Sequence, residues 1–185
     1  GEIKRLILTV CPRHGKSRLT AVELPTWLLG RKPSSQIVVA SYSSDLSSLH
    51  SKQARARLEE SFYRELFPET QIAFDDRAAQ FWSTSAGGSF KAVGVGGSLT
   101  GHGADLLIVD DPFKDFAEAS SPTIRNNVWD WFLSTAYTRL SPDGAIVVIT
   151  TRWHVDDLVG RLLDPKRTEE LVESGLSDEE KWEVV

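Results

Sequence analysis

Three segments of this chain combine residue types that can handle phosphate and a hard metal ion. Cys11-Pro12-Arg13-His14-Gly15-Lys16-Ser17 joins an apolar run to a helix-forming stretch. Gly15 lets a backbone approach an anion closely, Lys16 supplies a point charge, and the Ser17 hydroxyl can ligate Mg2+. Leu106-Leu107-Ile108-Val109 leads into Asp110-Asp111-Pro112, which puts two carboxylates at the end of a second apolar run. Asp110 is suited to hold the metal, directly or through water, and Asp111 to orient and polarise an attacking water. Ile146-Val147-Val148-Ile149 ends in Thr150-Thr151-Arg152-Trp153-His154, whose hydroxyls and guanidinium could sense a terminal phosphate.

Each segment also has a plainer reading. The pattern G-x-x-x-x-G-K-[ST] needs Gly at position 10, where this chain has Val10. Gly15-Lys16-Ser17 can then be a turn that only starts a helix. A cysteine-phosphatase loop would need Arg at the sixth position after Cys11, but Ser17 stands there and Arg18 comes one too late. Cys11 reads instead as a small packed residue. Two acids often open a loop after a strand, and Thr ends strands through its β-propensity. His154, Asp156 and Asp157 are adequate as helix caps. His14, His50, His102 and His154 have no metal-ligand spacing.

These segments need strands and helices to hold them. Leu6–Val10, Ile37–Ala40, Leu106–Val109 and Ala145–Thr150 are short, almost wholly apolar runs, as expected of parallel strands covered on both faces. A helix is expected from Lys16 to Leu29, with Leu19, Val22 and Trp27 near its buried face. Asp45 is the expected N-cap of a polar helix reaching about Glu60. Residues 122–138 read as a helix with Pro122 in its first turn, and Val155–Leu163 as a short one. Trp129, Trp131 and Phe132 read as core rather than base-stacking platforms. Gln71–Phe74, Gln80–Thr84 and Phe90–Val95 read as a small antiparallel meander, with turns at Asp75-Asp76 and Gly87-Gly88. The acidic stretch from Pro165 reads as a solvated helix, and Trp182–Val185 as the opening of another strand. Strands alternating with helices imply an α/β fold with a mostly parallel central sheet flanked by helices. In such sheets ligands bind at the carboxyl ends of the strands, where all three segments lie.

The 185 residues amount to about one domain. Hydrophobic residues make up 41% and charged residues 25%, which excludes global disorder. No apolar run is long enough to span a bilayer. The single cysteine excludes an internal disulfide and a multi-cysteine zinc site. The net charge of −5 is uneven: residues 1–60 carry 10 Lys/Arg against 5 Asp/Glu, and residues 61–165 carry 8 against 14. The chain is therefore no basic nucleic-acid coat, although its first third could face an anion. It has no Met, even at position 1, and is read as a piece of a longer protein, with residues 1–185 forming one domain core.

The loop at 11–17, Gly96-Gly97-Ser98-Leu99-Thr100-Gly101-His102-Gly103-Ala104-Asp105, Leu107–Pro112 and Thr150–His154, in this order, resemble the large terminase subunit of tailed bacteriophages and prophages. The resemblance covers roughly residues 3 to 185. It implies the ATPase domain of a DNA-packaging motor: a RecA-like P-loop NTPase of the additional-strand class, using ATP and Mg2+. It implies that Pro12, Arg13, His14, Gly15, Lys16 and Ser17 bind nucleotide, that Ser17 and Asp110 hold Mg2+, and that Lys16, Arg13 and Asp111 are catalytic. Asp110 and Asp111 are then the Walker B acids, and Thr150, Thr151 and Arg152 lie in the motif that couples hydrolysis to movement. His102 stands where many relatives carry Arg, so no trans-acting arginine is assigned.

The implied partners are double-stranded DNA, a portal protein and a small terminase subunit. The implied assembly is a homo-oligomeric ring on the procapsid, monomeric in isolation, in the host cytoplasm. The family's adenine-contacting segment and nuclease domain are expected outside residues 1–185, so weak nucleotide affinity and no nuclease activity are expected here. Lys52, Arg55 and Arg57, on the polar helix after Asp45, could follow a DNA backbone without reading sequence, or simply form a solvated face. Two rivals stay open: a helicase-like DNA translocase, and a non-catalytic assembly module with a degenerate phosphate loop.

Overall fold

The computed structural model describes residues 3–167, 172 and 181–185. An eight-stranded sheet runs through it in the order β3-β4-β5-β2-β6-β7-β1-β8. The strands are β1 (Arg5–Thr9), β2 (Gln36–Ser41), β3 (Ile72–Arg77), β4 (Phe81–Thr84), β5 (Ser89–Gly94), β6 (Ala104–Asp110), β7 (Leu140–Thr150) and β8 (Glu183–Val184). β5, β2, β6, β7, β1 and β8 pair in parallel, and β4 runs antiparallel to β3 and β5. The expected meander is thus present, and β5 joins it to the parallel sheet. β7 lies between β1 and β6, so the strand before the Gly15 loop is not a neighbour of the strand before Asp110.

The apolar runs are continuous because both faces of the sheet are covered. Alternate residues enter two separate cores. Val38, Ala40, Leu107, Val109, Ile146 and Val148 face one layer, together with Val128, Trp129, Phe132 and Leu158. Ile37, Val39, Leu106, Ile108, Val147 and Ile149 face the other, together with Val22, Leu29, Ala54 and Leu58. The helices of the first layer are α5 (Phe116–Ser120), α6 (Pro122–Trp131) and α7 (Leu158–Leu162). Those of the second are α1 (Lys16–Arg18), α2 (Leu24–Arg31), α3 (Ser44–Glu59) and α4 (Ser61–Leu66). Trp129, Trp131 and Phe132 are buried in the core, as their spacing implies.

Helix ends follow local chemistry. Ser43, not Asp45, caps α3: its Oγ accepts from the Leu46 N–H, and Asp45 falls in the first turn, where its charge favours the dipole. Pro122 begins α6, with Ser121 as the cap. The expected helix at 16–29 forms and extends to Arg31, but a π turn at Leu19–Glu23 interrupts it. Pro25 has no N–H to bond one turn back and its ring crowds that carbonyl, and the wider turn just before it accommodates both defects. The same turn shifts the helix face. Val22 and Leu29 are buried, but Leu19 is 64% and Trp27 55% exposed, contrary to the helical-wheel expectation.

Three further expectations change. Asp75 and Asp76 lie inside β3 rather than in a turn, since the chain reverses between β3 and β4. Cys11 is exposed, not packed. The short helix expected at 155–163 is confined to Leu158–Leu162, capped by Asp157. Most of the acidic stretch expected to be helical after Pro165 lies outside the described residues. Val184 extends the sheet beside Ile7, as expected of the run at 182–185.

Candidate nucleotide site

The site forms where β1, β6 and β7 end together. After β1 the chain turns through Arg13, at φ 66°, and Gly15, at φ 78°. Both lie in the left-handed region, which glycine enters freely and other residues enter at a cost. Gly15 then opens α1, and its carbonyl accepts from the Leu19 N–H at 3.0 Å. The loop residues from Cys11 to Gly15 are exposed, and the His14 ring bonds the Pro12 carbonyl at 2.9 Å.

Successive residues of a strand point to opposite faces, so Asp110 and Asp111 would normally diverge. Asp111 escapes this through a left-handed step at φ 44°. Its amide still donates to the Ile149 carbonyl at 2.8 Å, which holds it against β7. Both carboxylates then reach the Gly15 loop. Lys16 Nζ donates to Asp111 Oδ1 at 2.6 Å and to Thr151 Oγ1 at 2.9 Å. The Thr151 amide donates to the same Asp111 oxygen at 3.1 Å. Ser17 Oγ donates to Asp110 Oδ1 at 2.9 Å. Three strand ends far apart in sequence are tied together through five side chains, those of Lys16, Ser17, Asp110, Asp111 and Thr151.

Burial sharpens this arrangement. Asp110 is fully buried, and the Lys16 side chain is 7% exposed. A buried carboxylate is tolerated only with its oxygens satisfied. Asp110 Oδ1 is served by Ser17, and Oδ2 lies 3.0 Å from Nε2 of His50, a buried residue of α3. The sequence pattern does not reveal His50, because its partner is sixty positions away and its helix reads as solvated.

Ser17 Oγ and Asp110 Oδ1 form a hard oxygen pair of the kind that Mg2+ takes, with water and phosphate oxygens completing its shell. Among the described residues no cluster of three or more His, Cys, Asp or Glu could hold a metal by itself.

The residues after β7 divide. Thr151 is in the site. The Thr150 hydroxyl donates to the Thr151 carbonyl at 3.0 Å. Arg152 turns away and donates from Nε to Asp157 Oδ2 at 2.9 Å, joining the end of β7 to the cap of α7. Next to it Asp156 is held by Arg161 and Arg125, which push its carboxyl down to about 2. His102 packs on Phe81 with ring centroids 4.9 Å apart. On α3, Arg57 is engaged by Glu23 and Glu60, and these pairs raise its pKa and lower that of Glu23. Lys52 is exposed on the same helix.

Comparison with known proteins decides the family. Residues 7–184 match the family described as "Terminase large subunit, T4likevirus-type, N-terminal". The chain belongs to this family. It is 34% identical over 119 residues to the "Terminase, large subunit" of Enterobacteria phage T3, a stretch covering 60% of this chain and 19% of that protein. The structure resembles the "Thermus Phage P74-26 Large Terminase ATPase domain" with a TM-score of 0.53 at 18% identity, covering 81% of this chain and 60% of that one. It resembles the HK97 bacteriophage large terminase with a TM-score of 0.58 at 19% identity, covering 98% of this chain and 34% of that one. At these identities the structural likeness establishes the fold, which is that of a terminase ATPase domain, a RecA-like P-loop fold. The chain spans less than two thirds of the length of each of these relatives. Among the described residues no helix of this terminase chain is long and apolar enough to cross a membrane.

Proposed function

We propose that this chain is the ATP-hydrolysing core of a phage packaging terminase, which uses ATP and Mg2+ to drive double-stranded DNA into a procapsid. The observation that carries the reading is Lys16, held between Asp111 and Thr151 at the shared end of three strands. A lysine bridging an acid and a hydroxyl at a strand–loop–helix turn suits an anion that displaces both.

In this reading the loop from Pro12 to Ser17 receives the phosphates, and Lys16 leaves Asp111 for a phosphate oxygen. Asp111, freed of its cation, orients water for attack on the γ-phosphorus. The bond to the β-phosphate oxygen breaks, ADP and phosphate form, and the water's proton passes to Asp111 or to phosphate. Ser17 and Asp110 are the residues that would hold Mg2+, which neutralises phosphate charge when bound. Arg13 is exposed on the same loop, and in this reading it swings onto the terminal phosphate. Thr151 loses its bond from Lys16 on binding, and Thr150, Arg152 and Asp157 carry that change toward α7.

Double-stranded DNA, a portal protein, a small terminase subunit and a ring of like subunits on the procapsid in the host cytoplasm complete the proposal. They rest on family membership. Lys52, Arg55 and Arg57 on α3 remain the DNA-backbone candidates; Lys52 is exposed, and Arg57 is engaged by two carboxylates that DNA phosphates would have to displace. Residues 1–185 are taken as one ATPase unit without nuclease chemistry, and the rest of the packaging cycle is assigned to other segments.

The test is phosphate release from ATP with Mg2+ by this chain, with and without linear duplex DNA, beside Lys16→Ala and Asp110→Ala. Activity lost in both variants supports the reading. Measured ATP binding without hydrolysis, in a longer chain as well, overturns it in favour of an assembly module. Strand separation by the chain would favour a helicase-like translocase.

A further inference from the structure

We propose that His50 is a positioning residue for Asp110. It would lock one carboxylate oxygen so that the other is presented, in a fixed orientation, to Ser17 and the Mg2+ of bound nucleotide.

Asp110 is fully buried, and its two oxygens have different partners: Oδ1 meets Ser17 Oγ at 2.9 Å, and Oδ2 meets His50 Nε2 at 3.0 Å. A carboxylate turns about its last bond unless both oxygens are held. With Oδ2 accepting from Nε2–H, Oδ1 stays toward Ser17. The direction of this bond sets the tautomer, because an ionised carboxylate can only accept. His50 Nδ1 is buried and has no hydrogen-bond partner. The ring's polar contact among the described residues is therefore the one to Asp110. A position needed only for packing would be served better by an apolar side chain, which leaves no buried nitrogen unpaired.

The placement also bears on the fold. His50 sits in the middle of α3, between Ser47 and Ser51, both fully buried. Ser51 Oγ accepts from Trp82 Nε1 at 3.0 Å, so α3 is pinned over the sheet one residue away. The ring cannot follow a drifting carboxylate, which is what a positioning residue requires. Partners of this kind typically account for 10–100-fold in metal affinity or activity.

The inference rests on the nucleotide reading of the same site, and the experiment separates the two. His50→Gln keeps an N–H near the position of Nε2, whereas His50→Asn puts its N–H near the position of Nδ1 and His50→Leu has none. The first readout is the rise in thermal midpoint given by Mg2+ with ADP over ADP alone. The second is the Mg2+ concentration for half-maximal phosphate release from ATP. Wild type and His50→Gln are expected to show the same Mg2+-dependent rise and half-saturation within about threefold. His50→Asn and His50→Leu are expected to need 10–100-fold more Mg2+ in both readouts.

If His50→Leu folds and shows the wild-type Mg2+ dependence, the inference is wrong and the nucleotide site stands. If His50→Leu does not fold, the Gln–Asn comparison decides: equal Mg2+ dependence of the two overturns the inference, and a 10–100-fold difference supports it. If wild type gains nothing from Mg2+ over ADP alone, in this chain and in a longer one, the Mg2+ role of Ser17 and Asp110 fails and this inference fails with it.

Discussion

Lys16 and Asp111 stand ninety-five residues apart in sequence and meet at 2.6 Å, with Thr151 closing the contact from a third strand. The pair is mostly withdrawn from solvent on the lysine side and less so on the acid side, at 7% and 26% exposure. In the proposed function this ion pair is what a phosphate displaces.

On the proposed function, replacing Lys16 by Ala should abolish the charge that the phosphates meet. Phosphate release is expected to fall by about 100-fold or more, the usual scale for removing an electrostatic stabiliser. Circular dichroism should stay native, since α1 and β1 keep their backbone bonds.

Asp111→Asn should separate binding from hydrolysis. Lys16 loses its competing carboxylate, so nucleotide affinity should hold or rise. Hydrolysis should drop by about 10²–10⁴-fold if Asp111 handles the water. Equilibrium binding of ADP and single-turnover phosphate release check the two halves. Equal loss of both would contradict the assignment.

Gly15→Ala tests the loop backbone. An added Cβ would meet nothing within 4 Å, so no clash opposes it. The left-handed φ of 78° remains the obstacle, worth about 1–2 kcal/mol for an L-residue. Urea denaturation should show a loss of that size, and nucleotide binding should weaken as the loop relaxes.

Trp82→Ala should be the harshest single change in the core. The indole is fully buried, stacks on Phe90 at 5.1 Å and donates to Ser51. Loss of about 3–5 kcal/mol is expected by denaturant unfolding. The Ser51 hydroxyl would also lose its donor, which places the result toward the upper end.

Asp156 predicts an acid dependence. Arg161 and then Arg125 hold its folded pKa near 2, below its ordinary carboxylate value near 3.8. A depressed acid stabilises the fold above its unfolded pKa and loses that contribution as pH falls through the folded one. The stability gap between wild type and Asp156→Asn should therefore be constant above about pH 5, shrink progressively below it, and vanish only near about pH 1, below both pKa values. The carboxylate is 37% exposed, so solvent screening keeps the gap small. Urea midpoints across this range measure it.

Much of this protein could be read from local sequence. β1, β2, β6 and β7 are legible because strands buried on both faces must be apolar at every position. Gly15-Lys16-Ser17 and Asp110-Asp111 are legible because each requirement is met within a few residues of one strand end. The order of such segments carries the resemblance to the family, which the match over residues 7–184 decides. Where local rules compete, the reading slips. Ser43 and Asp45 are both good caps, and only the backbone at Ser43 is extended. Leu19 and Trp27 fall on a helical stripe until Pro25 and its π turn rotate that stripe toward solvent.

The tertiary structure alone decided which strand ends meet. β7 between β1 and β6 brings Thr151 to Lys16, and the left-handed step at Asp111 turns a second carboxylate into the site. It also decided that His50, on a helix that reads as polar, is buried against Asp110. Neither fact leaves a periodic mark. Propensity and patterning act over a few residues, whereas strand order and helix docking depend on how distant surfaces pack, so residues 10 to 151 become one site only when the sheet closes around them.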